Sequence, residues 1–403
     1  MAFVPYILNE AWPSRSFNLL FLSEGFKSVD GDRFYQYCQL MTKELLKFKP
    51  YNDLKSLFDV RALFKPSIDD VILGNPGNTA FKFYINNERF VTKEPARLIN
   101  VIKNTELLLT ENFRTEQVQA SQIFLNNKYR GKRVICIIIN CAEQVGCTNI
   151  DYRTDELIDP IDNRDNDLLN MLPYVAISVW PMHPNSIPKY NNPEKATAAL
   201  LSRELGRYFG LGYEYEKEEP EYENYEKSEQ IDYPNIITYK NLFDNYNIEE
   251  FTDGQEIDIN MIRNRLKWFS MIDGNRSNSC KHSIHPTAPD NDKRDQYKLI
   301  QERSSSAILF LRHQQATAHP GDSSSLANVR YTEGIRSSLL CVKDPNIIEG
   351  GCYFRRRVYR PSLECLMRCL GYDLLDNFGR RQFIPLPYCK ICEKHISKVL
   401  NHV

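Results

Sequence analysis

Residues 133–140 read Arg-Val-Ile-Cys-Ile-Ile-Ile-Asn, and they limit the fold more than any other stretch. The six positions from Val134 to Ile139 are all apolar, so neither face of a strand built from them can meet water. Such a run belongs to a central strand covered on both sides. Residues 17–26 (FNLLFLSEGF) are a second apolar run, ending in a turn at Gly25. After it Phe34, Tyr37, Cys38, Met41, Leu45 and Phe48 recur at helical spacing, with Asp30 or Asp32 placed to cap the helix and Pro50 to stop it. Residues 57–64 (LFDVRALF) and 174–180 (YVAISVW) read as further strands. Strand, helix, strand in this order predicts an α/β fold with a partly parallel sheet.

Between these elements the pattern is looser. Residues 75–78 (NPGN) form a turn signal, and 81–84 with 89–91 suit a hairpin. Residues 94–108, 115–126 and 257–271 have helical spacing, whereas 151–167 and 181–193 read as loops. Residues 273–345 are polar and hold the densest histidines, which marks a polar insertion or small subdomain within one larger domain, 1–272 plus 346–403. The net charge of −1 supplies no electrostatic reason to bind nucleic acid or a membrane surface. No apolar run approaches the roughly 20 residues that span a bilayer. Residues 1–16 lack a basic segment followed by an apolar core, so no signal peptide is visible and a cytoplasmic location is the default expectation.

Residues 194–209 carry strong helix propensity through Ala196, Ala198, Ala199, Leu200 and Leu201. Within them stands Arg203-Glu204-Leu205-Gly206-Arg207. It has the outline of the zinc-peptidase motif His-Glu-x-x-His, in which two imidazoles four residues apart grip one ion and the glutamate polarises its water. Here both ligand positions are arginine and only the base position, Glu204, is kept. A guanidinium donates but has no lone pair to give a metal, and two of them repel a divalent ion. Either the arginines and Glu204 form an ion-pair cluster, with Glu214 or Glu216 completing it, or the arginines make a pocket for an anion.

The order of these landmarks resembles the M64 (IgA peptidase) family of zinc metallopeptidases. The resemblance rests on residues 18–26, on 50–60, on Ile137 to Asn140 and on Gly206, Phe209 and Gly210 of the helix. It continues through residues 233–236, Lys267-Trp268, Glu349-Gly-Gly351, residues 359–362 and Cys365-Leu-Met367-Arg368. It implies a metzincin-like fold: a twisted mixed sheet, an active-site helix and a Met-turn under the metal site, here Met367. Carried over by position, Arg203 and Arg207 replace two ligands, Glu214 falls near the acidic third ligand, and Glu204 is a vestigial general base.

Two further groups have metal-ligand chemistry. Cys280, His282 and His285 are closely spaced but have no evident fourth partner. Cys389 and Cys392, followed by His395, stand with Cys365 and Cys369 upstream; four sulfurs in two pairs suit a structural zinc, and packed thiols are the alternative. The resemblance implies instead a cysteine pair joining the Met-turn to the terminal helix. Arg355 to Arg357 with Arg360 form a basic cluster, expected on a solvated or acid-paired face.

These readings lead to one expectation: an inactive metallopeptidase-like protein, working by binding a protein partner or by self-association. No cofactor is expected, with zinc only at a non-standard site. A hydrolase with such a relocated site, and a purely structural self-assembling protein, are the alternatives.

Overall fold

The computed structural model describes residues 6–9, 17–71, 77–86, 89–92, 133–149, 174–187, 189–214, 233–238, 241–242, 265–268, 271, 348–352, 354–362, 365–368, 370–375 and 380–401. The chain divides into two compact units, Met1–Phe209 with Ile396–Val403, and Gly210–His395.

The first unit is built on a six-stranded mixed sheet. Its strands are β1 (Tyr6–Asn9), β2 (Phe17–Glu24), β3 (Phe58–Leu63), β6 (Arg133–Ile139), β7 (Gly146–Asn149) and β8 (Tyr174–Ser178). A separate hairpin of β4 (Phe83–Asn86) and β5 (Arg89–Thr92) completes the set. The sheet order is β1-β3-β2-β6-β8-β7. The four central strands run parallel, and the two edges, β1 and β7, are antiparallel to their neighbours. The mixed sheet expected from the apolar runs is therefore present, with β2 and β6 at its centre.

Strand pleating sends alternate side chains to opposite faces. Leu63, Leu22, Ile137 and Ala176 lie in one row across the four parallel strands. They share a buried cluster with Phe81, Phe83 and Ile85 from the hairpin segment. The next row, Ala62, Phe21, Cys136 and Val175, belongs to the opposite face and is also fully buried. Burial on both faces is why residues 134–139 show no alternation. On the Phe21 face the Phe17 ring stands 5.3 Å from that of Phe209, at the end of the second helix.

Helix α1 (Gly31–Leu45) buries Phe34, Tyr37, Cys38, Met41 and Leu45, as their spacing predicts. Phe48 lies beyond its end. Asp30 does not bond an N–H of this helix; it accepts from the backbone N–H of Lys27 at 3.0 Å and pairs with Arg33 at 3.0 Å. Helix α2 (Pro193–Tyr208) begins with proline, which lacks the N–H that a first turn leaves unbonded. Glu194 in its first turn and Arg207 in its last complement the helix dipole. Gly210, at φ +95°, lets the chain turn away after it. Helix α2 packs against α1, β7 and β8.

Glu24 ends β2 with a fully buried carboxylate. Its Oε1 accepts from the Thr79 hydroxyl at 2.5 Å and the Phe83 N–H at 2.9 Å, and Oε2 accepts from the Phe81 N–H at 2.8 Å. One side chain thus fixes residues 79–83 to the end of the central strands. Gly25 follows at φ +72°, the turn its sequence announces.

The second unit holds β9 (Ile237–Thr238), β10 (Ile348–Gly351) and β11 (Phe354–Arg360) in a three-stranded antiparallel sheet, order β10-β11-β9. Strands β12 (Gly371–Leu375) and β13 (Arg381–Pro385) form a hairpin. Helix α3 (Lys390–Asn401) closes the described chain. Of the helix expected over 257–271, residues 265–268 form turns instead. The helices expected at 94–108 and 115–126, the loop 151–167 and the insertion 273–345 lie outside the described residues. Among the described residues no helix is long and apolar enough to cross a membrane.

Candidate functional site

The peptidase-like motif lies on α2 where the sequence places it. Almost the whole helix is buried, which its alanines and leucines permit. Glu204 is fully buried, and both of its oxygens are committed. Oε1 accepts from Arg203 Nε at 3.2 Å, and Oε2 accepts from the Thr148 hydroxyl at 2.9 Å. The same hydroxyl lies 2.8 Å from the Glu204 carbonyl oxygen. Thr148 belongs to edge strand β7, which approaches the helix closely: a Cβ added at Gly146 would stand 2.7 Å from Leu200 Cδ1 and 3.2 Å from Glu204 Cγ. Arg207 is 7% exposed. Of the two arginines offered as partners for Glu204, Arg203 is bonded to it.

Glu214 belongs to a second group of side chains, within the second unit. Its backbone N–H donates to the Met367 carbonyl at 3.0 Å, so the expected third-ligand position and the expected Met-turn residue do meet. Asn235 secures the segment. Its Oδ1 accepts from Gly212 N–H at 2.8 Å, and its Nδ2 donates to the Gly212 carbonyl and to Glu214 Oε1, each at 2.9 Å. Gly212 has no room for a side chain, since a Cβ would lie 2.7 Å from Tyr233.

Around the Glu214 carboxylate stand Cys365, Cys389 and Cys392, and the four ligand atoms all lie within 4.8 Å of one another. Cys365 starts the turn 365–368, closed by the Arg368 N–H to the Cys365 carbonyl at 2.9 Å. Cys389 immediately precedes α3, and Cys392 is in its first turn. The Cys392 thiol donates to Glu214 Oε1 at 3.2 Å, and Cys389 Sγ is 3.8 Å from the same oxygen. Cys365 Sγ and Cys392 Sγ are 3.8 Å apart. The Cys389 N–H donates to Cys365 Sγ at 3.3 Å. All four side chains are buried, and Glu214 Oε2 is buried with no hydrogen-bond partner.

The electrostatics follow from this packing. Burial pushes the Glu214 carboxyl well above its ordinary value, against donation from Asn235 and Cys392 and the field of Arg360. Burial likewise raises Cys365 and Cys392. Cys389 moves the other way: the Cys365 and Cys392 thiols and the N–H groups of Ile391 and Cys392 at the start of α3 bond its sulfur and hold its thiol well below the usual range.

Of the four cysteines expected together, the structure joins Cys365, Cys389 and Cys392, while Cys369 is outside the described residues. Glu214 joins them although it is 151 residues from the nearest, and no local spacing announces it. His395 is half-buried on α3 and is not in the group. Cys280, His282 and His285 lie outside the described residues. Arg360, expected on a solvated or acid-paired face, is not solvated: it is fully buried, its Nε donates to the Ser362 carbonyl at 3.2 Å, and its charge acts on Glu214. No family model matches this chain, and no curated protein matches it.

Proposed function

We propose that this chain is a metallopeptidase-like protein without peptidase chemistry, related to the M64 (IgA peptidase) family, that works by binding a protein partner or by self-association. The observation that carries the reading is the state of Glu204. A general base needs a lone pair aimed at a water molecule. Both oxygens of Glu204 are bonded inside the protein, to Arg203 and Thr148, and the side chain is sealed from solvent. Neither Arg203 nor Arg207 offers a metal a lone pair. A mixed sheet with α2 packed along its antiparallel edge, and a turn carrying buried Met367, support the family reading and its metzincin-like architecture.

The test has two arms. The full chain, supplied with zinc, is assayed against a mixed fluorogenic peptide library, and sedimentation velocity is run over a wide concentration range. The expected result is no cleavage above that of Glu204→Gln, with partner capture or reversible self-association. Chelator-sensitive cleavage abolished by Glu204→Gln would overturn the inactive assignment. The double variant Arg203→His, Arg207→His is expected to gain a cobalt site whose spectrum lacks sulfur-to-metal charge transfer. A folded double variant with no such site would argue against the alignment with the peptidase motif.

A further inference from the structure

We propose that Cys365, Cys389, Cys392 and Glu214 bind one zinc ion in a closed, structural site within the second unit. The proposal does not depend on the peptidase reading: it uses neither Arg203, Arg207 nor Glu204, and it gives Glu214 to the thiols instead of to a peptidase metal.

The donor set selects the metal. Three thiolates and one carboxylate are borderline-soft, which suits zinc and disfavours magnesium or calcium, whose ligands are oxygen. The distances also fit. Zinc bonds of about 2.3 Å to sulfur and about 2.0 Å to oxygen give a tetrahedron with edges of roughly 3.8 Å between sulfurs and roughly 3.5 Å between sulfur and oxygen. The observed Cys365–Cys392 separation is 3.8 Å, and the two sulfur–Glu214 separations are 3.2 and 3.8 Å. The ligands come from three segments, so the ion would tie residues 210–214, the turn 365–368 and the start of α3 to one point.

The surroundings are prepared for the ion. Glu214 Oε2 is buried without a hydrogen-bond partner, a state that carries a desolvation penalty for a charged group. A cation beside it removes that penalty. Asn235 orients the carboxylate through Oε1, and the Cys389 N–H points at Cys365 Sγ, the kind of outer contact that fixes metal ligands. Buried Arg360 acts electrostatically on Glu214, and its charge offsets part of the net negative charge of three thiolates, one carboxylate and a divalent ion. Binding releases the thiol protons to solvent, with no change of oxidation state. Four protein ligands and no exposed face leave no position for substrate, so the site is structural rather than catalytic.

A disulfide is the competing chemistry. It needs sulfurs about 2.0 Å apart, whereas Cys365 and Cys392 stand at 3.8 Å, and it would strand the third thiol. The decisive experiment uses the reduced full-length chain loaded with zinc and passed through a desalting column. X-ray absorption of the bound zinc should give a first shell of three sulfurs and one oxygen, at one ion per chain. Cys365→Ser and Cys389→Ser should each lose that ion, and Asn235→Ala should weaken it by about 10–100-fold. If the serine variants fail to fold, the wild-type absorption spectrum still decides. No retained zinc, a shell dominated by nitrogen, or mass spectrometry showing two of these three cysteines disulfide-bonded in protein prepared under reducing conditions would each overturn the proposal. So would a folded Cys365→Ser, Cys389→Ser double variant that keeps its ion.

Discussion

Replacing Glu24 by glutamine tests how a buried carboxylate at the end of β2 is charged. Burial pushes the Glu24 carboxyl up to about 7 from 4.5, and the Thr79, Phe83 and Phe81 donors only partly oppose it. The folded value is the higher one. Between 4.5 and about 7 the folded protein therefore holds a proton that the unfolded chain has released. Stability from this group is complete below 4.5, falls as pH rises through the folded value, and is flat above it. At 1.36 kcal/mol for each tenfold change in proton affinity, the fall is about 3 kcal/mol. Glutamine cannot titrate, and its NH₂ group cannot accept from the Phe81 N–H, so Glu24→Gln costs about 1–3 kcal/mol in acid. Urea unfolding of both proteins in steps from about pH 4.5 to 8.5 isolates Glu24, because every other group titrates in common. The wild-type advantage should shrink by about 3 kcal/mol across that range and can change sign. A constant advantage, or one that grows with pH, would show that the three donors keep Glu24 ionised and would refute the reasoning.

Other positions give simpler expectations. Thr148→Val removes the hydroxyl from buried Glu204 and should destabilise the first unit by about 1–3 kcal/mol; an unchanged thermal midpoint would mean the contact carries no weight. Gly146→Ala forces a Cβ to within 2.7 Å of Leu200 Cδ1. That should cost about 1–3 kcal/mol, and recovery by Leu200→Val would trace the loss to this contact, whereas an additive double variant would not. Phe21→Ala empties the middle of the Ala62–Phe21–Cys136 row and should cost about 3–5 kcal/mol in denaturant titration; a loss below about 1 kcal/mol would contradict the close packing.

The parts of the fold that the sequence announced are those where one local pattern suffices. Residues 17–24 and 133–139 are apolar without alternation because both their faces are covered, and that alone marks them as central. Helix α2 declares itself through alanine and leucine. Edge strand β7 is four residues, Gly-Cys-Thr-Asn, with no period, so its pairing and the role of Thr148 come only from tertiary packing. The candidate metal centre was half legible. Cys389 and Cys392 show their spacing, and Cys365 stands upstream as a companion. Glu214 stands out in the sequence for another reason, as an expected third ligand beside Arg203 and Arg207. Its place among thiols depends on a backbone bond to Met367 and on Asn235, and neither contact leaves a mark in local spacing. Arg360 is legible in part for a related reason: its run of arginines suggests a solvated or acid-paired face, and only the Glu214 carboxylate and the Ser362 carbonyl explain why it is buried.

The two glutamates that the peptidase outline links have separate chemical fates. A buried carboxylate needs a compensating cation or a set of donors, or it becomes neutral. Glu204 has Arg203, a cation that binds no metal, together with the Thr148 hydroxyl. A glutamate there therefore requires no catalytic explanation, because Arg203 balances its charge and Thr148 satisfies its second oxygen. Glu214 has one well-bonded oxygen and one without a hydrogen-bond partner, among three thiols. A divalent ion, as proposed above, would supply the partner that oxygen lacks. Arg203 beside one glutamate and the proposed ion beside the other are thus two ways of balancing a buried carboxylate.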